Sequence, residues 1–93
     1  MFYLHDVQEL RRRARAALRA EILPCAQPDR SWGGCGSGKL CPVCGRSVDP
    51  EELELELEFA ATEIGKDTRE FHLHVPCFKA WEFAMKFAAT DHP

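Results

Sequence analysis

Cys41 and Cys44 stand three residues apart in a chain of 93, and 30 residues beyond Cys44 the pair His74 and Cys77 repeats that spacing. No other feature restricts the fold as strongly, because each pair puts two donors on one short segment and two such segments can close on a single ion. Cys41-Pro-Val-Cys44-Gly45 reads as a tight turn in which Gly45 allows the conformation that brings backbone N–H groups to the sulfurs. His74-Val-Pro-Cys77 reads as the end of a strand passing into a helix. Pro76 suits the first helical position, where its missing N–H costs nothing, and the helix dipole favours thiolate at Cys77. Three thiolates and one imidazole fill a tetrahedral shell and leave no position for water. The expectation is therefore one structural Zn2+ held by Cys41, Cys44, His74 and Cys77, with iron in the same shell as the competitor. His72 is the rival fourth donor; it shares a strand face with His74 and otherwise reads as a surface histidine or one hydrogen-bonded behind the ligands.

A chain this short needs such a staple. Its hydrophobic content, 45%, is that of a globular protein, but the Pro- and Gly-rich stretch 24–39 contributes few core residues, and a core this small supplies roughly 3–5 kcal/mol. The five cysteines are an odd number, so an all-disulfide framework would leave one over. The N-terminal MFYLHDVQELRRR has no apolar stretch of signal-peptide length, and no membrane-spanning run follows, so a cytoplasmic location with reduced thiols is expected. Cys25 and Cys35 then read as free loop thiols; the sharper alternative is a redox sensor in which one attacks a metal-bound sulfur.

Periodicity divides the chain into an N-terminal amphipathic helix (1–23), a loop (24–39) and a metal-binding part (40–93), forming one compact α+β unit. Leu4, Val7, Leu10, Ala14, Ala17, Leu18 and Ile22 recur at helical spacing from about Tyr3 to Ile22, and Pro24 is the expected stop. The run from Cys25 to Lys39 reads as an extended loop that Trp32 either pins to the core or offers to a partner. Leu53, Leu55, Leu57 and Phe59 alternate with Glu54, Glu56 and Glu58, which predicts a strand with a buried leucine face. Phe71, Leu73 and Val75 alternate with His72 and His74 and predict the second strand of an antiparallel hairpin. A final helix from Pro76 to about Ala89 is apolar over more than half its circumference. It requires cover on two sides, from the hairpin and from the N-terminal helix of the same or a second copy.

A CPxCG turn, a β-hairpin and a helix carrying the last ligands resembles the treble-clef zinc finger over about Leu40 to Ala89. The chain as a whole, with WGG-x-G-x-G before the first pair and FHxHxxC at the second, is also similar to small bacterial zinc proteins of no assigned activity. The resemblance implies a fold and a structural metal, and it implies no function.

Charge narrows the functional classes. Net charge is −3, with five arginines against Asp6 and Glu9 in residues 1–20, and seven carboxylates with no base in residues 49–63. Such faces can pair with each other within a subunit or between two. The expected function is a non-catalytic zinc module that binds another protein, first of all a second copy of itself, through Arg11, Arg12, Arg15, Trp32 and Trp81. The alternative is a small DNA-binding regulator using its arginine helix, although the strand glutamates would repel nucleic acid. Neither a membrane nor a small-molecule substrate is expected. An enzyme is disfavoured because the metal shell is closed and no Ser/His/Asp set stands out. GGCGSGK, Gly33 to Lys39, matches phosphate-loop spacing but lacks the Ser or Thr that would bind magnesium, having Leu40 there. His5 and His92 have no metal-like neighbours and are expected at the surface.

Overall fold

Asp6 starts the first helix. Its carboxylate accepts the Glu9 backbone N–H at 3.2 Å, satisfying one of the donors that a helix start leaves unpaired, and α1 runs over Val7–Arg19. The computed structural model describes residues 6–60 and 68–90, so Tyr3, Leu4, His5 and His92 lie outside the described residues. The helix stops well before Pro24. Ala20 caps it, Glu21 turns left-handed at φ 59°, and the N–H groups of Glu21 and Ile22 return to Leu18 O and Ala17 O at 3.1 and 2.9 Å. This closing motif usually carries glycine where Glu21 stands. Leu10, Ala14 and Ala17 form the buried stripe, and it packs on α2, Val75–Thr90. The cover that the last helix needs is thus supplied by the same chain.

The sheet has three antiparallel strands in the order β1 (Arg30–Cys35), β2 (Leu53–Phe59) and β3 (Arg69–His74). Its β2–β3 hairpin is the predicted one, with Leu55 opposite Leu73 and Glu56 opposite His72. Strand β1 corrects the reading of 24–39 as loop. All six of its residues are exposed, so it has no buried face to produce an alternating pattern, and it is held by backbone pairing to β2 from Arg30↔Glu58 to Cys35↔Leu53.

The core lies where α2 crosses the β2–β3 hairpin. Leu57, Phe59 and Leu73 face Trp81, which is 0% exposed, with the Phe59 and Trp81 rings edge to face at 6.2 Å. The Trp81 indole N–H donates to Pro24 O at 3.1 Å, tying the segment after α1 to the core. Trp81 is therefore a core residue, which overturns its assignment to a partner surface: its ring is consumed by packing and its one polar atom by a hydrogen bond. Trp32, by contrast, is 42% exposed on β1 and does not pin a loop to the core.

The leucine face of β2 is only partly covered. Leu57 and Phe59 are buried, but Leu53 is 69% exposed while Glu54 on the opposite face is 6% exposed. The cause is position: Leu53 and Leu55 lie beside Cys35 and Gly33 of β1, whose small side chains shield little. Among the described ion pairs none joins an α1 arginine to β2. Arg12 and Arg13 bind Glu9 on their own helix, and these hydrogen bonds, Arg12's first, hold the Glu9 carboxyl at a pKa of about 2. No described helix is long and apolar enough to cross a membrane.

Candidate metal centre

The first donor pair sits on a miniature hairpin. Val48 N–H donates to Lys39 O and Cys41 N–H to Arg46 O, each at 2.8 Å, with Leu40 and Ser47 bridged between them. Gly45 N–H returns to Cys41 O at 2.8 Å, and Gly45 takes φ 78°, a conformation that costs other residues energy. Both sulfurs are thereby turned inward, and Cys41 and Cys44 are buried. Arg13 of α1 donates to Cys44 O at 3.1 Å, so the first helix braces this turn. The second pair comes from the strand-to-helix junction, with His74 the last residue of β3 and Cys77 in the first turn of α2.

The structure brings all four predicted donors together. Cys41, Cys44, His74 and Cys77 are buried, and one ligand atom from each lies within 4.8 Å of the other three. His74 Nδ1 is 3.4 Å from Cys44 Sγ and 3.9 Å from Cys77 Sγ. Donors of a tetrahedral zinc-sized ion with metal–sulfur and metal–nitrogen bonds of about 2.3 and 2.0 Å stand roughly 3.5 Å apart, so the gap matches a metal of that radius. This buried Cys3His set can hold a metal ion.

Its electrostatics favour a cation. Hydrogen bonds from the Cys44 and Cys77 thiols hold Cys41 as thiolate, pushing its pKa far below the usual thiol value. Cys77, facing the sulfurs of Cys41 and then Cys44 in a buried setting, is pushed far up. Three sulfurs this close cannot all ionise by themselves. A dication among them removes that obstacle, since it is the ligand-bound thiolates that then carry compensated charge.

The orientation of His74 is settled by a residue that spacing alone did not single out. Nε2 of His74 lies 3.1 Å from Glu52 Oε1, so Nε2 carries the proton and donates it while Nδ1 keeps its lone pair for the metal. Glu52 is itself held: the same oxygen accepts Asp49 N–H at 2.9 Å, and Glu52 N–H donates to Asp49 O at 2.9 Å. The turn Asp49-Pro50-Glu51-Glu52 thus positions a carboxylate behind the ligand. Its only trace in sequence is a turn dipeptide followed by glutamate, one of many glutamates in that stretch.

His72 does not join the four. Its Nδ1 lies 2.7 Å from Glu54 Oε2, yet out of line with the ring N–H, so the contact is a close electrostatic one and Nδ1 has no aligned hydrogen-bond partner. Ser37 Oγ donates to the same Glu54 oxygen at 2.8 Å. On this face Glu56, Glu70 and His72 also place ligand atoms within 4.8 Å of one another, with Glu56 and His72 half-buried and Glu70 exposed. Of the other predicted surface residues, Arg11 stacks its guanidinium 3.6 Å over the Phe83 ring, Arg12 is occupied by Glu9, and Arg15 is exposed. Cys25 and Cys35 are exposed free thiols. Neither a protein-family model, nor a curated protein, nor a solved structure matches this chain.

Proposed function

We propose that this chain is a non-catalytic module whose fold is closed by one zinc ion and whose surface binds another protein. The observation that carries the reading is the enclosure of all four donors, which leaves no exposed coordination position for a substrate or an activated water. Zinc suits a tetrahedral set of three thiolates and an imidazole, and needs no redox partner. The knuckle, the β2–β3 hairpin and α2 with Cys77 in its first turn follow the order of the treble-clef finger, so that resemblance is retained as part of the proposal.

The non-catalytic reading is supported by the wiring of the other polar cluster. Ser37 donates to Glu54 rather than to His72, so no imidazole stands ready to take its proton. A nucleic-acid role for α1 has less support, because Arg11, Arg12 and Arg13 are already engaged by Phe83, Glu9 and Cys44 O. A reducing compartment such as the cytoplasm would keep the ligand thiols free for metal. A homodimer stays a proposal. It would have to use surfaces other than the α1–α2 contact, which one chain makes by itself.

Metal analysis of protein purified without added metal tests the first half: one equivalent of zinc is expected. Sedimentation across concentrations tests self-association, and a strict monomer would leave a different protein as the partner. Purified protein free of zinc and iron, yet fully folded, would end this reading.

A further inference from the structure

We propose that the outer edge of β1, together with the acidic sheet face beside it, takes an extended lysine- or arginine-bearing segment of a partner protein as a fourth strand. The inference rests on the reading of the chain as a protein-binding module and names the surface and the partner's chemistry.

The first observation is the edge itself. Strand β1 ends the sheet, all six of its residues are exposed, and among the described residues its backbone pairs only with β2. Alternate N–H and C=O groups therefore point outward without a protein partner. Edges left open in this way accept another strand unless proline, inward charge or a covering element blunts them. The sequence RSWGGC carries none of these beyond Arg30 at one end.

The second observation is what lies on one face of that edge. Strand register sets Arg30, Glu58 and Glu70 in one row, Trp32, Glu56 and His72 in the next, and Gly34, Glu54 and His74 in the third. Within this grid Arg30 stands 3.6 Å from Glu58, and Glu54 is taken by Ser37 and His72. Among the described ion pairs Glu56 has the His72 ring 4.0 Å away, and Glu70 has no partner there. The face is anionic and partly dehydrated, with an exposed tryptophan at its border.

These two features share one geometry. Strands are spaced about 4.8 Å apart, so an added strand would run roughly 10 Å from β2, a gap that an extended lysine or arginine and a glutamate side chain span together. Trp32 lies between them, and the Arg30 guanidinium 5.4 Å over its ring marks a cation position that an incoming lysine or arginine would share or take over. Gly34 leaves the adjacent path clear, since a Cβ there would meet nothing within 4 Å. An acidic segment or a nucleic acid would be repelled, and two copies joined edge to edge would set one acidic face against another.

The test uses the metal-loaded 93-residue chain and labelled acetyl-Lys-Thr-Lys-Thr-Lys-Thr-Lys-Thr-amide in fluorescence anisotropy, with Trp32 emission as a second signal. Binding is expected for this peptide and not for its counterpart with glutamate at each lysine. N-methylation of alternate residues, which removes the strand's donors and keeps its charge, should weaken binding about tenfold. Glu56→Gln with Glu58→Gln, the β2 carboxylates within that span, should weaken it about fivefold, and Trp32→Phe should keep binding while Trp32→Ala reduces it. No binding, equal binding of the N-methylated peptide, indifference to the glutamine substitutions, or a dimer joined through β1 would each overturn the proposal. Metal content and circular dichroism of the same sample separate that failure from failure of the metal-stabilised module itself.

Discussion

Glu52 and Gly36 illustrate how much rests on residues without a motif. Glu52 fixes the tautomer of His74, and loss of a carboxylate behind a metal-bound histidine lowers metal affinity by roughly 10- to 100-fold. Glu52→Ala should show that loss in chelator competition while circular dichroism of the metal-loaded protein stays native. At Gly36 a Cβ would fall 2.0 Å from Asp49 O and 2.5 Å from Val48 O, both backbone atoms that cannot step aside. Gly36→Ala should therefore destabilise strongly, whereas Gly34→Ala, with open space around it, should stay within about 0.5 kcal/mol of the parent in urea unfolding. The four donors were legible in the sequence because metal geometry demands particular residue types at particular spacing. Glu52 was hidden because a carboxylate positioned through a turn has no such spacing rule, and Gly36 because its constraint comes from a segment 12 residues away.

Elements were legible where they bury a face. Helix α1, β2 and β3 announce themselves by period, α2 by Pro76 and its long apolar run, and in Leu53 to Phe59 alternation prevails over the helix propensity of glutamate and leucine, since pairing on both sides holds β2 extended. Strand β1 was not legible, because it is an edge with no buried residue. The end of α1 was misplaced because the stop is a left-handed Glu21 rather than Pro24. That residue yields a prediction: Glu21→Gly removes the left-handed penalty and should raise stability by about 1 kcal/mol in denaturant unfolding. Leu10, buried between α1 and α2, gives the opposite case, and Leu10→Ala should cost about 2–5 kcal/mol. The Glu9 contacts also have a pH signature. With its folded pKa depressed from 4.5 to about 2, its contribution is present above 4.5 and is lost as pH falls from there towards 2; Glu9→Gln should flatten that part of the stability profile of α1 followed by hydrogen exchange.

Across the whole molecule the four-donor cluster is where separate pieces of the chain meet. The knuckle, the end of β3 and the start of α2 meet at the four donors, α1 braces the knuckle through Arg13 and Cys44 O, and the Trp81 indole anchors the segment behind α1. Removing the ion should therefore unfold the chain as a unit rather than loosen one loop. The acidic face and the open β1 edge lie outside that centre, which is why the ligand pattern predicts the fold far better than it predicts the partner. The most direct test replaces the native ion with cobalt. Titration should end at one equivalent with the intense visible absorption of tetrahedral, thiolate-bound cobalt, cooperative gain of native circular dichroism, and loss of both in Cys44→Ser. Weak absorption typical of octahedral oxygen ligation, or native structure at full strength before any metal is added, would contradict the account.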